Sequence, residues 1–465
     1  MSRGTTPIVD LFNAFSYPLL KMGLAQSLAS QFSTHDIHCS SLGENILMAG
    51  SLLAVGKIND YTSLIEQTNF TSLSYNDRVT FTAALFRSFH KQLFPPPGNA
   101  ICAEALHCIV QNLLPDLMNP LASTCEGFSP SPSLSGLIQL PYASRIRPGV
   151  KGAVFFRQFT MGPGSRQHEF GLRIQNNLAS QGWDVSLHST VSLQSVFPSG
   201  MFDFALIDVG LLNALNSSEV SVIEEVKRIR RNFRKVIVVE PDPWCAEHIP
   251  LLNEVMEHID FVWGLTTDWP FLYEHSCTGK AILFPNVGGF DDMATEREAM
   301  EDWGRCTFSF VGSIGIPNLT RVYWALESLH HKLPISFVIT DPCDDDGMDQ
   351  ETSLKSYARL LAASHSGVNF AKRLDGSRML TGRTLEIISL KRLLLQEACP
   401  AMKSYFVEGE HFLEFSNIEE LSTAVEFIRS HPKTAQMIAR EGYEYYLQHY
   451  SGRKLVEHFQ VLLDS

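Results

Sequence analysis

A chain of 465 residues is longer than one hydrophobic core usually organises, so two or three domains are expected. With 45% hydrophobic and 19% charged residues, its composition is that of an ordinary globular protein. The formal net charge of -13 argues against a general affinity for nucleic acid or anionic membranes, so any phosphate-binding site has to be built locally.

Nine cysteines are scattered along the chain without a Cys-x-x-Cys pair or a zinc-type cluster. This usage indicates a reduced, cytoplasmic protein rather than a secreted one held together by disulfides. The sequence has neither a signal-peptide-like apolar stretch at its start nor a run of about 18 apolar residues, so we expect no transmembrane segment.

The first 125 residues have the pattern of helices without strands. Apolar residues recur at spacings of three and four, for example over residues 100–114. Residues 52–65 resemble one helical hairpin of a tetratricopeptide array, although no regular repeat follows. A segment rich in Ser, Pro and Gly, residues 126–149, then marks a boundary. We therefore predict that residues 1–145 form an all-α helical domain and a linker.

After this boundary, short apolar runs alternate with amphipathic helices. Such alternation favours a parallel, doubly wound sheet with helices on both faces. The predicted fold class is α/β, with two Rossmann-like domains over residues 146–285 and 286–465, the second ending in a helix that crosses back to the first. Ligands of such sheets bind at the carboxyl ends of the strands, so the cleft between the domains is the expected site. The strand-like segments are Ala153–Phe156, Trp183–Leu187, Phe202–Val209, Lys235–Glu240, Phe261–Leu265, Phe308–Val311, Ile335–Thr340, Gly367–Phe370 and Arg392–Leu395.

The segment Gly382–Glu397 is the most informative for function. It places Arg383 and Glu386 three residues apart, on one face at the start of a short apolar helix. A helix N-terminus attracts anions, an Arg can bond phosphate oxygens, and a carboxylate one turn later can accept bonds from sugar hydroxyls. The pair therefore suits a nucleotide-sugar. The alternative is a surface ion pair worth less than about 1 kcal/mol.

Two further segments of the second domain suit phosphate groups. Gly312 and Ser313 lie in a turn between a predicted strand and a helix, where glycine allows the backbone to approach a ligand. The turn is not the dinucleotide fingerprint, because Gly312 and Gly315 are three residues apart rather than part of a G-x-G-x-x-G run. Lys372, Arg373 and Arg378 lie in a loop that precedes the short helix, where they could neutralise a diphosphate. The alternative for this loop is a solvated surface.

The first α/β domain offers two candidate bases. His168 lies at the start of the helix that follows the first strand, where it could accept a proton from an acceptor hydroxyl. Asp242 follows the carboxyl end of another strand and is the rival base or acceptor-binding residue. The acidic run at 344–346 could bind a divalent cation, but its position indicates an exposed loop, and we predict no metal site. A nucleophilic Ser elbow, an H-E-x-x-H sequence and a Walker lysine are all missing from the sequence.

A series of segments over residues 280–460 follows a recognisable order. The segments are Phe310–Ser313, a helix with Arg321, Val368–Phe370 with Asn369, Gly382–Glu386, Gln396-Glu397, Tyr405–Glu410, Phe415–Leu421 and Ile438–Tyr443. Their order resembles that of GT-B glycosyltransferases of the glycosyl-transferase-1-like group, which includes spore-maturation CgeB-like proteins. The resemblance implies that Glu386 holds the donor ribose, that Arg383 is a donor-site residue, and that the Gly312-Ser313 turn approaches the phosphates. In one departure, Ser389-Leu390-Lys391 replaces the small residue and glycine that follow this Glu in the family.

These expectations together describe a glycosyltransferase that moves a sugar from a nucleotide diphosphate donor to a hydroxyl of a protein or glycan acceptor. Basic side chains and helix N-termini would stabilise the departing diphosphate, so neither an essential metal nor another cofactor is expected. His168 or Asp242 would act as base if the reaction inverts configuration. Nucleic acid is not an expected partner, and the helical domain is the expected acceptor tether. The alternative is a catalytically inactive GT-B-like interaction protein, which the glycine missing at Lys391 favours.

Overall fold

The computed structural model describes twelve stretches of the chain between residues 145 and 465 and single residues between 74 and 114. The predicted helical domain over residues 1–145 therefore lies, apart from those single positions and residue 145, outside the described residues. The stretches are 145–156, 166–188, 201–217, 221–240, 248–264, 280–284, 289–291, 303–312, 319–339, 350–373, 378 and 380–465.

The first sheet consists of parallel strands that pair in the order β2-β1-β3-β4-β5-β6. In chain order the strands are β1 (Lys151–Phe155), β2 (Asp184–His188), β3 (Phe202–Asp208), β4 (Phe233–Glu240), β5 (Phe261–Gly264) and β6 (Ala281–Leu283). The helices among them are α1 (Arg166–Ser180), α2 (Val209–Ser217), α3 (Val222–Arg230) and α4 (His248–Val255).

Successive residues of β3 point into two different cores. Ala205 and Ile207 pack with residues of α2, α3 and α4, while Phe204 and Leu206 pack with residues of α1. This alternation follows from the two-residue period of a strand. Because both faces are covered by helices, the strand is apolar almost throughout, as in other parallel sheets.

The second sheet is also parallel and has the order β11-β10-β9-β7-β8. The prediction of two parallel α/β sheets is thereby confirmed. The strands of this second sheet are β7 (Phe308–Gly312), β8 (Ile335–Ile339), β9 (Ser366–Asn369), β10 (Leu393–Glu397) and β11 (Leu413–Phe415). The chain that follows β7 contains the helices α5 (Thr320–His330), α6 (Gln350–Ala362), α7 (Gly382–Ser389), α8 (Ile418–Ser430), α9 (Pro432–His449) and α10 (Gly452–Asp464).

The helix α10 returns to the first sheet and covers part of its face. Its apolar residues Leu455 and Phe459 join the core that contains Phe204 and Trp263. The Phe459 ring centroid lies 5.7 Å from that of Phe204 and 5.5 Å from that of Trp263. Burial of each such side chain contributes about 1.5–3 kcal/mol to folding. The two sheets are thus connected both by residues 289–291 and by the passage from α9 to α10.

None of the helices in the described part of the chain combines the length and the apolar character needed to cross a membrane.

Candidate functional site

Polar side chains from three separate segments meet at the carboxyl edge of the second sheet. Asn369 ends β9, and its Nδ2 donates to Gln396 Oε1 of β10 over 2.8 Å. The same amide nitrogen donates to the hydroxyls of Thr381 and Thr384 at the start of α7, over 2.9 and 3.2 Å. Asn369, Thr384 and Gln396 are completely buried, where polar groups require such partners. This network fixes the N-terminus of α7 against the ends of two strands.

Arg383 lies within the same network rather than at the surface. Its side chain is buried, with the residue 4% exposed, and Nη1 donates to Asn369 Oδ1 over 3.1 Å. The guanidinium carbon lies 4.8 Å from the centroid of the Phe310 ring. A Cβ added at Gly312 would lie 2.6 Å from Arg383 Nη2. Residue 312 therefore has to be glycine for Arg383 to occupy this position.

A second arginine contacts the same ring. Arg321 of α5 is buried, and its guanidinium carbon lies 5.5 Å from the Phe310 centroid. Cations are attracted to the face of an aromatic ring. Two guanidinium groups thus lie against one ring at the edge of the sheet, in a protein whose net charge is -13. Such a local concentration of positive charge favours an anionic ligand.

The basic loop after β9 is fastened to the end of β10. Arg373 is buried, and Lys372 and Arg378 are partly buried and form an antiparallel bridge, so the solvated-loop alternative is wrong for Arg373. Glu397 Oε2 accepts hydrogen bonds from the backbone N–H groups of Ala371 and Lys372, over 2.7 and 2.9 Å. Burial raises the pKa of the Glu397 carboxyl above its ordinary value, although these two bonds oppose the shift.

Glu386 forms a contact between the two α/β domains. Its Oε1 accepts a hydrogen bond from Arg173 Nη2 of α1 over 2.7 Å, and its Oε2 accepts one from the Tyr357 hydroxyl of α6 over 2.7 Å. Glu386 is 5% exposed and Arg173 is 6% exposed. The alternative of a surface ion pair between Arg383 and Glu386 is therefore wrong, because both side chains are buried.

The segment between the sheets packs against this contact. The Phe290 ring centroid lies 5.2 Å from the guanidinium carbon of Arg173 and 6.0 Å from the Tyr357 ring centroid. The Phe290 N–H donates to Ser389 Oγ over 2.9 Å, and that hydroxyl donates to the Glu386 carbonyl. Phe290 therefore touches the first-domain partner of Glu386 and, through Ser389, the helix that carries Glu386.

Sequence reasoning missed Arg173, Tyr357 and Phe290. Arg173 belongs to no motif, but it lies on the same side of α1 as Phe170 and Ile174, which are buried. A charged residue within an apolar helix stripe was thus the available signal, because such a residue requires a buried partner. The sequence contained no local sign that this partner is Glu386.

The structure does not describe the side chains of the two candidate bases of the first domain. His168 is the third residue of α1, but its side chain lies outside the described residues, as do Asp242 and Ser313. Their roles stay predictions. In the regions that the structure describes, His, Cys, Asp and Glu side chains do not form a group of three or more that could hold a metal ion.

Several solved structures have a similar arrangement at low sequence identity. A glycosyltransferase from Rickettsia africae ESF-5 is 10% identical, with a TM-score of 0.41, and the alignment covers 69% of this chain and all of that one. Sucrose-phosphate synthase from Thermosynechococcus elongatus is 11% identical, with a TM-score of 0.43 and coverages of 67% and 97%. Anabaena HepE in complex with UDP and glucose is 10% identical, with a TM-score of 0.40 and coverages of 67% and 98%. All three TM-scores lie below 0.5. The fold of this chain is therefore defined by its own strand order.

Comparison with protein families gives a more specific result. No curated protein matches the chain. Residues 321–460, however, match the model of a family described as glycosyl transferase-like, and this segment includes Asn369, Arg383 and Glu386. The match covers 140 of the 465 residues of the chain and shows a similarity of this segment to that family.

Proposed function

We propose that this protein is a glycosyltransferase that moves a sugar from a nucleotide diphosphate donor to a hydroxyl acceptor. The observation that carries the proposal is that the glycosyl transferase-like segment contains the buried cluster of Asn369, Arg383 and Glu386 at the carboxyl edge of a parallel sheet. Ligands of parallel α/β sheets bind at this edge. Two α/β domains that meet beside it fit the GT-B arrangement.

The donor nucleotide is assigned to the second domain. In this assignment Glu386 accepts hydrogen bonds from the ribose hydroxyls, and Arg383 and Arg321 face the diphosphate. Asn369 positions Arg383 through its Oδ1, and Gly312 leaves the space that the guanidinium occupies. Both arginines are permanently charged, which suits a group that binds phosphate.

The departing diphosphate needs positive charge when the sugar leaves. Lys372, Arg373 and Arg378 belong to the loop that Glu397 holds near β10, and we assign them to this role together with the turn at Ser313. Preorganised cations of this kind stabilise developing charge without reorganisation. The proposed reaction is accordingly independent of a metal ion.

The acceptor is assigned to the first domain, with a protein or glycan as its chemical class and residues 1–145 as its tether. If the reaction inverts configuration, His168 or Asp242 removes the proton from the acceptor hydroxyl. A base has to lie within hydrogen-bonding distance of that proton, so a complex with an acceptor would decide between the two. The proposed location is the cytoplasm.

A catalytically inactive interaction protein is the second candidate. One specific observation favours it: both oxygens of Glu386 already accept hydrogen bonds, from Arg173 and Tyr357, and the residue is buried. In that case the contact would hold the two domains in one arrangement. Lys391, at the position where the family has glycine, also agrees with a site that no longer binds a donor.

Calorimetric titration with UDP-, GDP-, CMP- and TDP-sugars tests the two candidates directly. We expect one of the three diphosphate donors (UDP-, GDP- or TDP-sugar) to bind, with unchanged affinity in the presence of EDTA, and the CMP-sugar, which has a single phosphate, to serve as the comparison. The isosteric variant Glu386→Gln should bind that donor at least about tenfold more weakly, because it removes a charged acceptor of ribose hydrogen bonds. The matched control is Glu225→Gln, since Glu225 pairs with Arg228 on α3. Failure of every donor to bind would leave the inactive interaction protein as the better explanation.

A further inference from the structure

Arg173 of the first α/β domain pairs with Glu386, the carboxylate that the proposed donor needs. Arg173 Nη2 lies 2.7 Å from Glu386 Oε1, and the Tyr357 hydroxyl lies 2.7 Å from Oε2. Both members of the ion pair are more than nine-tenths buried. Each carboxylate oxygen can accept a second hydrogen bond, but Glu386 is enclosed, so a ribose hydroxyl can approach it only when one of these two partners moves aside.

Arg173 is the partner that can move. Tyr357 lies on α6 and belongs to the same hydrophobic core as Leu385 and Ile388 of α7, so it is fixed relative to Glu386. Arg173, in contrast, reaches across from α1 on a long side chain with several rotatable bonds. Its displacement requires a rotamer change, or a small separation of the two domains in which Leu172 of α1 would also lose its contact with the second core.

The Phe290 ring stabilises Arg173 in its contact with Glu386. The guanidinium carbon lies 5.2 Å from the ring centroid, within the range of a cation–π contact. Phe290 is itself fixed, because its N–H donates to Ser389 Oγ. A buried ion pair and an aromatic contact therefore hold Arg173 against Glu386.

We propose that Arg173 is a gate for the donor ribose, an inference that rests on the proposed donor role of Glu386. Arg173 occupies Glu386 Oε1, and the ribose hydroxyls replace its guanidinium there when the donor binds. Arg173 is thus a positioning residue that links donor occupancy to the contact between the two domains. The affinity of the wild-type protein is lowered by the fraction of molecules in which the gate is closed.

Nucleotide binding to Arg173→Met tests the gate. The variant keeps the length of the side chain but cannot pair with Glu386, so we expect it to bind UDP about tenfold more tightly than the wild type does. This gain in affinity over the wild type should vanish with 2′,3′-dideoxyuridine diphosphate, because that nucleotide has no ribose hydroxyl at the 2′ or 3′ position to bond Glu386. If UDP does not bind the wild type, GDP, ADP and CDP are tested in the same way, each with its dideoxy counterpart.

The matched control is Arg147→Met. Arg147 Nη2 lies 3.4 Å from Asp464 Oδ1, so this pair also joins the first α/β domain to the C-terminal helix, but both side chains are about half exposed. Its removal should leave the affinity for UDP unchanged. Should Arg173→Met fail to fold, Arg173→Lys provides a milder test, because a shorter ammonium bonds Glu386 less well and should give a smaller gain in the same direction.

Each outcome decides the proposal. Weaker or unchanged binding of UDP to Arg173→Met would overturn the gate while leaving the proposed function intact, and so would an equal gain with the dideoxy nucleotide. Binding by Arg173→Met of a nucleotide that the wild type does not bind would support a gate that is firmly closed. If neither protein binds any of the nucleotides, both the gate and the proposed donor site are wrong.

Discussion

The Tyr446 hydroxyl donates a hydrogen bond to Asp291 Oδ1 over 2.7 Å and thereby joins the two segments that pass between the sheets. The same hydroxyl accepts a bond from the Gly289 N–H over 3.1 Å, and Asp291 accepts one from the N–H of Gly452, the first residue of α10. Tyr446 is completely buried, and burial together with the nearby Asp291 carboxylate raises the pKa of its phenol well above the ordinary value. One buried cluster therefore fixes both passages between the domains.

The first prediction concerns this hydroxyl. Tyr446→Phe leaves the Gly289 N–H and one oxygen of Asp291 without their partner in a buried place, so we expect the free energy of unfolding to fall by about 1–3 kcal/mol. Urea denaturation measures the change. Tyr445→Phe is the matched control on the same helix, because that ring is partly exposed and stacks on His411 at 4.2 Å without a hydrogen bond from its hydroxyl. A loss of equal size in both variants would contradict the role given to the Tyr446 cluster.

The second prediction concerns Lys391, at the position where the resemblance to GT-B glycosyltransferases leads one to expect glycine. Lys391 has a φ of 58°, in the left-handed region that a side chain disfavours. Replacement by glycine relieves this strain, so we expect Lys391→Gly to raise the free energy of unfolding by about 1 kcal/mol. Lys332, with a φ of 55°, should respond in the same direction.

Lys433→Gly is the control for these two variants. Lys433 lies in the first turn of α9 and is exposed, so glycine there should not stabilise the protein. Thermal unfolding of the three variants makes the comparison. A loss of stability at Lys391 would show that its contact with the Tyr443 ring, 5.9 Å from Nζ to the centroid, outweighs the backbone strain.

The third prediction concerns stability against acid. Burial lowers the pKa of His458 to about 4, from an ordinary value of 6.5, and its ring centroid lies 4.3 Å from that of Phe284. The unfolded chain therefore binds a proton at this residue between pH 6.5 and 4 while the folded protein does not. Stability should fall as the pH decreases through this window, by at most about 3 kcal/mol from this residue.

His458→Gln isolates that contribution. The variant cannot bind the proton in either state, so its free energy of unfolding should depend less steeply on pH between 6.5 and 4. Urea titrations at a series of pH values measure the difference in slope, which cannot exceed the uptake of one proton. Equal slopes in the two proteins would mean that the histidine takes up its proton over the same pH range in the folded protein and in the unfolded chain.

The fourth prediction concerns the ring that two arginines share. Phe310→Leu removes the aromatic face beside Arg321 and Arg383, so we expect both a loss of stability and weaker binding of the donor nucleotide. Phe337→Leu is the control, because the Phe337 ring contacts Phe310 and Phe370 in the same core. The loss of nucleotide affinity should be several-fold larger for Phe310→Leu at a comparable loss of stability. Titration calorimetry and urea denaturation provide the two measurements.

Local patterns were sufficient to predict most elements of the two sheets. The apolar run from Phe202 predicted β3, and the spacing after Gly382 predicted α7 followed by β10. The helix Val209–Ser217 was missed because it begins directly after β3. Its first residues are apolar and extend the apolar pattern of that strand. The strand β11 was missed because three residues, Leu413–Phe415, are too few to show a period.

The candidate site was predictable only within the second domain. The basic loop and the Arg383/Glu386 pair lie close together in sequence, so their placement beside one sheet edge follows from the order of strands. Arg173 and Glu386 are 213 positions apart, and periodicity carries no information about such a contact. Lys391 shows a related limit: the sequence marked the missing glycine, but not that lysine would keep the glycine-like backbone conformation.

The position of α10 also has a consequence for synthesis on the ribosome. Residues 151–283 provide all the strands of the first sheet, yet Leu455, Phe459 and Leu462, which help to cover one face of it, are translated some 170 codons later. During that interval the nascent first domain exposes apolar surface around Phe204 and Trp263. The N-terminal α/β domain should therefore reach its final protease resistance only after the C-terminal helix has left the exit tunnel, with ribosome-associated chaperones as natural occupants of the uncovered face in the meantime.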